Sequence, residues 1–227
     1  MDASTDLAIQ RSDKLTTLAA KTIAEAIVRG EFGPGEALPE VPLAKRLATS
    51  RNTVREALRE VEALGLVEIE PHRGAFVREL SAERAAEIFS LRAVLESFAA
   101  RLAVERNPGG ELATALRAAL EAQRDAVRFG DILAVAKSDT EFHETLSSFC
   151  GHELLLSHLK ALQMETRRFI VAARQHAEEY SPIVDLHLPI VEAVESGDSR
   201  LVESVVYAHV MTSGEGLLQR LGAPDRV

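Results

Sequence analysis

Between Pro34 and Val77 the chain reads PGEALPEVPLAKRLATSRNTVREALREVEALGLVEIEPHRGAFV, a pattern of two short helices, a tight turn and a turn-tipped pair of strands. Val41, Leu43, Ala44 and Leu47 are placed on one helical face, and Val54, Ala57, Leu58, Val61 and Leu64 repeat at intervals of three and four. Two such stripes should pack on each other across the Ala48-Thr49-Ser50 turn. Ser50 is a good N-cap, because its hydroxyl can accept a free backbone N–H, and Gly65 suits the left-handed residue that ends a helix. The spacing therefore predicts the second helix over 51–64. Leu66, Val67 and Ile69, then Ala75, Phe76 and Val77, flank Pro71-His72-Arg73-Gly74 and predict a β-hairpin.

The first turns of the second helix carry Arg51, Asn52, Thr53 and Arg55 away from the apolar stripe, where they can meet base edges and phosphates. Between Leu43 and Arg59 there are five basic residues (Lys45, Arg46, Arg51, Arg55 and Arg59) against one acid, Glu56. The whole chain has a formal charge of −9, so this excess is local. The hairpin tip would bring Arg73 to a phosphate or into the minor groove. A plainer alternative is a solvated basic helix face on a small domain, but a charge run alone does not account for the helix-turn-helix frame with caps at both ends.

The segments PGEALPE, LAKRLATSRNTVREAL and LGLVEIEPHRGAFV resemble, in order, the winged helix-turn-helix of GntR-type bacterial transcriptional regulators, over residues 12 to 80. The resemblance implies DNA contacts from Arg51, Thr53 and Arg55 and from the wing around His72, Arg73 and Gly74. Asn52, Lys45 and Arg46 complete the candidate surface. Two departures stand out. Ala48-Thr49 replaces the usual Gly-Val, a minor change in turn chemistry, and Val41 occupies a place where some members have a DNA-contacting arginine.

At 227 residues and 46% hydrophobic content the chain has material for two cores. It has no 18-residue apolar run and no signal-peptide core, and the expectation is therefore a cytoplasmic protein with no membrane partner. The single cysteine, Cys150, reads as a buried small apolar residue. Residues 1–11 are polar and are expected to be disordered. A first helix rests on Leu15, Leu18, Ala19, Ile23, Ala26 and Ile27 and closes near Gly30.

The reading is thus a mostly α chain with a winged helix-turn-helix over 1–80 and an all-α antiparallel bundle over 81–227. Six bundle helices are expected near 82–106, 110–129, 131–149, 152–178, 181–196 and 198–220, separated by Pro108-Gly109-Gly110, Gly130, Gly151, Ser181-Pro182 and Gly197-Asp198. After residue 80 there are 15 basic and 22 acidic residues, a composition that suits a sensor better than a DNA binder.

Four residues interrupt the apolar stripes of the bundle. Asp139 and His143, four apart, share a face with Ile132, Val135, Ala136, Phe142 and Leu146. His187 lies on the stripe Ile183, Leu186, Ile190, Val191 and Val194, and His209 on Val202, Val205 and Val206. A lone histidine on such a face is more often a satisfied core residue, but three with an inward carboxylate ask for a cation. Imidazoles with one carboxylate suit a divalent metal ion, zinc or nickel first and manganese or iron as alternatives, whereas calcium would want more oxygens.

DTEFHETL, DLHLPIVEAVESGD and YAHV resemble the signatures of the FCD ligand-binding domain of FadR-type GntR regulators, in the shorter, six-helix VanR-like form. In metal-containing members these positions ligate a divalent ion, which carries over to Asp139, His143, His187 and His209. Arg92 matches a position that often meets the effector, and a small organic acid would suit its guanidinium. Pairing with Glu96 on a helix surface is the alternative for Arg92. His152 stands where the family shows Asn, which bears on some ligand-side contact, and His158 and His176 read as structural.

The resemblance implies a homodimer that binds a palindromic double-stranded DNA operator, with repression relieved by a carboxylate effector. A metal-dependent hydrolase-like enzyme would need a motif such as H-E-x-x-H, which is missing after His143-Glu144. An architectural DNA-binding protein without a sensor would be basic throughout.

Overall fold

The computed structural model describes residues 12–107, 110–174 and 183–221, which fall into two units divided between Glu79 and Leu80. Three features expected from the sequence lie outside the described residues: the disorder of 1–11, the place of His176, and the helix breaks at 108–109 and 181–182.

The first unit holds α1 (Ser12–Val28), α2 (Glu40–Arg46), α3 (Arg51–Ala63), β1 (Val67–Glu70) and β2 (Gly74–Val77). Ser50 Oγ accepts from the Thr53 backbone N–H at 3.1 Å and starts α3. At its other end Gly65, at φ 74°, lets its own N–H reach Glu62 O and the Leu66 N–H reach Val61 O, the two bonds that close a helix C-terminus. The strands pair antiparallel from Val67↔Val77 to Glu70↔Gly74, and Ala37 bridges to Phe76 on the far side of β2. This is a winged helix-turn-helix.

Its core differs from the sequence reading at three apolar residues. Leu15, Leu18 and Val41 are 46%, 59% and 52% exposed. In α1 the buried ladder runs Thr16, Ala20, Ile23 and Ile27 with Ala19, Ala24 and Ala26 beside it, one step out of phase with a stripe drawn through 15 and 18. In α2, Val41 lies two residues, roughly 200° of helix rotation, from the buried Leu43, and so faces solvent.

The second unit is a bundle of α4 (Ala82–Arg106), α5 (Glu111–Phe129), α6 (Ile132–Ser148), α7 (Glu153–Arg174), α8 (Ile183–Ser196) and α9 (Ser199–Arg220). Ser81, Asp131 and Asp198 cap α4, α6 and α9 by accepting backbone N–H groups of the first turn. His152 does the same for α7, where its Nδ1 accepts from the Leu155 N–H at 3.3 Å. The residue read as a ligand-side departure is therefore a helix cap, doing what asparagine would do. Arg101 pairs with Glu203 and Glu105 meets Ser199, while Phe89 packs on Gly214, so α4 and α9 run antiparallel along their length. A Cβ on Gly214 would lie 2.7 Å from the Phe89 side chain, and the bare glycine is what lets these helices close. Cys150 is fully buried, as read. Among the described residues no helix is long and apolar enough to cross a membrane.

The Ala48 turn is more than a minor change. Ala48 adopts φ 49°, in the left-handed region that costs a non-glycine residue about 1–2 kcal/mol. Replacing it with glycine relieves that strain and gives back part of the gain as unfolded-chain entropy. Ala48→Gly is expected to raise stability by up to about 1 kcal/mol, read as a higher urea midpoint; a lower midpoint would contradict the strain assigned to this turn.

Candidate metal centre and nucleic-acid interface

On the first unit, capping of α3 by Ser50 leaves Arg51 and Asn52 exposed on its first turn, with Thr53 half-buried and its Oγ1 2.8 Å from Ser50 Oγ. Arg55 is exposed one turn further on, and Lys45 and Arg46 project from α2. At the wing tip His72 takes φ 64° and Gly74 φ 106°, which turns the chain sharply and leaves both exposed with Arg73. A groove of about 420 Å³ is lined by Arg55 and Arg59 of α3 together with His72, Arg73 and Gly74 of the wing. Arg51, Asn52, Thr53, Lys45 and Arg46 are not among its lining residues.

Several of these arginines already hold a carboxylate. Arg55 donates from Nε and Nη2 to the two oxygens of Glu40, both at 2.7 Å. Arg46 pairs with Glu31, Arg59 with Glu56 and Arg73 with Glu70. The spacing of Arg55 and Glu40, fifteen residues apart on different helices, gave no periodic signal to find the pair.

In the second unit three helices bring His143, His187 and His209 together, with one ligand-capable atom of each lying within 4.8 Å of the others. Asp139 flanks them, its Oδ1 3.6 Å from His187 Nε2. Each imidazole is anchored through Nδ1. His143 Nδ1 lies 2.7 Å from Glu96 Oε2, an ion-pair distance off the straight hydrogen-bond line. His187 Nδ1 is 2.7 Å from Gln123 Oε1, and His209 Nδ1 donates to Leu186 O at 3.1 Å. Pro189, inside α8, has no N–H for the Asp185 carbonyl, and this interruption sits at the turn whose next carbonyl receives His209.

With Nδ1 engaged, Nε2 is the nitrogen each ring offers the centre, and the Nε2 atoms of His143 and His187 are 3.2 Å apart. Two nitrogens bound at about 2.0–2.1 Å to one ion would stand roughly 3.0–3.4 Å apart. Burial lowers the His209 pKa to about 2, helped by the neighbouring His143 and His187 and opposed by Asp139 and Glu96, so its ring is neutral at pH 7. Imidazoles held in this way beside a carboxylate fit a divalent transition ion.

Asp139, His143 and His209 also line a cavity of about 540 Å³, with walls that include Phe89, Leu186 and Leu217. Arg92 lines it too. It is buried rather than on the helix surface, and it donates from Nε to Glu96 Oε1 at 2.6 Å, so the cavity wall and the carboxylate pair are the same residue. His158 is exposed and bonded to Leu154 O, outside the cluster. Gln123 was missed in the sequence, although it stands on the stripe Leu112, Leu116 and Leu120 as a polar interruption of the same kind as the histidines.

Residues 15–77 match the description "Bacterial regulatory proteins, gntR family", and residues 87–212 match the FCD domain. The chain belongs to the GntR family. It is 33% identical over 198 residues to the "Probable D-xylose utilization operon transcriptional repressor" of Paenarthrobacter nicotinovorans, covering 86% of each. It is 27% identical to the gluconate operon transcriptional repressor of Bacillus licheniformis over 78% of this chain and 74% of that one. The GntR transcriptional regulator of Rhodococcus sp. RHA1 superposes with a TM-score of 0.76 at 25% identity, over 93% of this chain and 100% of that one. E. coli McbR/YncC, at 21% identity and a TM-score of 0.77, shares the fold. This GntR chain is therefore a DNA-binding transcriptional regulator rather than an enzyme.

The depressed His209 pKa ties the regulator's bundle to pH. The unfolded ring takes up a proton near pH 6.5 and the folded ring only near 2, so the unfolded state binds more protons between those values. The stability contribution is complete above about pH 6.5 and is lost as the pH falls below it. In chelator-treated protein the urea midpoint is expected to drop between pH 7.5 and 5, and His209→Asn to flatten that drop. An equal drop in the variant would assign the effect to other groups.

Proposed function

We propose that this regulator is a homodimeric repressor, acting in the cytoplasm on a palindromic operator and released when a small organic acid binds beside a divalent metal in its helical unit. The observation that carries the reading is the set of three histidines with Nδ1 tied off, set beside a cavity that Arg92 also lines. Asp139, His143, His187 and His209 would hold the ion, zinc or nickel before manganese or iron. The ion would supply Lewis-acid sites for a carboxylate oxygen. Among the described residues Arg92 donates to Glu96 through Nε alone, which would leave the terminal nitrogens of its guanidinium for the acid. The names of two relatives, repressors of the D-xylose utilization and gluconate operons, agree with a repressor that answers to a small metabolite.

Two-fold symmetry supports the dimer, since a palindrome presents one half-site to each recognition helix at a spacing of about one DNA turn. Exposed Leu91 and Val94 on α4 and Leu154 on α7 offer apolar surface for a partner copy. In the first unit, Arg51, Asn52, Thr53 and Arg55 would meet the major groove, His72, Arg73 and Gly74 the neighbouring groove or backbone, and Lys45 and Arg46 phosphates.

For the DNA face, Arg51→Ala and Arg55→Ala are each expected to weaken operator binding by about 1–3 kcal/mol if the side chain reads a base. A double variant that binds the operator as tightly as native protein would remove α3 from the interface. For the sensor, protein purified without a histidine tag should contain divalent metal by elemental analysis, and His187→Ala should lose metal and its response to small carboxylates in an operator-release assay. Metal-free native protein, or a variant that responds fully, would sink the role of the metal and leave the DNA assignment standing.

A further inference from the structure

His187 differs from the other two histidines in what faces its Nδ1. The Glu96 carboxylate and the Leu186 carbonyl can only accept, so each calls for an N–H on the histidine Nδ1 that faces it. The partner of His187 is the side-chain amide of Gln123, and an amide can present either an accepting oxygen or a donating nitrogen. Gln123 is completely buried, and its Nε2 has no hydrogen bond among the described residues. Among the described residues no further group therefore dictates which end of the amide meets the imidazole.

The other side of the ring supplies a conflict that the amide can resolve. His187 Nε2 stands 3.2 Å from His143 Nε2, and the other ring nitrogen of His143 faces Glu96. Two lone pairs at that distance repel, unless a cation lies between them or one nitrogen carries a proton. If His187 holds its proton on Nε2, that N–H donates to His143 Nε2, and Nδ1 becomes an acceptor that needs a donor. The Gln123 amide faces that nitrogen, and its Nε2 group can donate to it.

Resting on the metal reading of this cluster, we propose that Gln123 selects the tautomer of His187. Its Oε1 accepts from Nδ1–H when His187 Nε2 faces a divalent ion. Without the ion the amide turns over, its Nε2–H donates to Nδ1, and His187 Nε2–H donates to His143. The ring is neutral in both states: one proton leaves Nε2 for solvent and one from solvent binds at Nδ1, so the exchange at His187 is proton-neutral. Gln123 is thus a positioning residue, acting on the ion through His187.

Long-range ¹H–¹⁵N correlation spectra of the full, untagged ¹⁵N-labelled chain test this, recorded after chelator treatment and again with saturating zinc. His187 is expected to be protonated on Nε2 in the first sample and on Nδ1 in the second, with His143 and His209 on Nδ1 in the first. Chelator competition on the same preparations reads zinc affinity. Gln123→Leu, which removes both donor and acceptor, is expected to bind zinc 10–100-fold more weakly. Gln123→Glu, which can only accept, is expected to keep zinc binding and to hold His187 on Nδ1 in both samples. Zinc binding to the native chain with His187 protonated on Nδ1 throughout would overturn the role of the amide alone. Absence of zinc binding by the native chain would overturn the metal reading and this inference with it. The native spectra decide the matter even if the leucine variant does not fold.

Discussion

Glu96 places a carboxylate in the interior of the helical unit at 4% exposure, and the cluster around it is arranged to make that tolerable. Burial alone would raise its pKa. Arg92, reaching Oε1 from one turn earlier on α4, and His143, meeting Oε2 from α6, outweigh the burial and hold the group ionised well below the ordinary carboxylate range. A buried charge stripped of its partner destabilises a fold by about 3–5 kcal/mol. One carboxylate thus joins a residue of the cavity wall to a residue of the histidine cluster. Neither Arg92 nor His143 can be replaced without disturbing the other.

The first unit uses carboxylates differently. Its arginines pair with glutamates at the surface, where solvent screening leaves such pairs little net stabilisation. Pairs this weak can exchange a carboxylate for a phosphate or a base edge with little loss. What they do supply is order: the two bonds that Arg55 donates to Glu40 hold its guanidinium in a fixed plane, which would preorganise it for the proposed DNA contact. They also temper the field of the basic surface. Counted from Leu43 to Arg59 the surface looks strongly basic, but Glu31, Glu40 and Glu70, all outside that window, lie against it. Indiscriminate attraction to the DNA backbone is reduced, and contacts that outdo a glutamate gain weight.

Most of the fold was legible because its signals are local. Ser50, Ser81, Asp131 and Asp198 announce helix starts, Gly65 announces an end, and stripes of three-and-four spacing identify the helices between them. The same periodicity pointed to His143, His187 and His209 as inward residues, and folding brings them together. The errors came where a stripe admitted two phases, as at Leu15 and Leu18, or where a helix was too short to define a face, as at Val41. The strain at Ala48 was invisible because composition does not reveal a backbone angle. The anchors of the histidines were harder still. Gln123 lies 64 residues from His187, and only the packing of α5 against α8 shows that an amide stands behind the ring.

The arrangement around Arg92 bears on how a ligand in this cavity could influence anything beyond it. A ligand shifts a conformational equilibrium only by the difference in its affinity for the two states. Arg92 is committed to Glu96 through one nitrogen, and its guanidinium carbon also lies 5.2 Å from the Phe89 ring centroid. Phe89 in turn fills the space left by Gly214, where α4 closes on α9. An anion that pulled the guanidinium toward the cavity would load Glu96 on one side and Phe89 on the other. The first contact leads to His143 and the second to the seam between the two longest-paired helices. Close-packed seams of this kind respond by switching between discrete packings rather than by yielding gradually. Differential affinity would therefore be generated where Arg92, Glu96 and Phe89 meet, a few ångströms from the ligand, rather than being carried through a long chain of contacts.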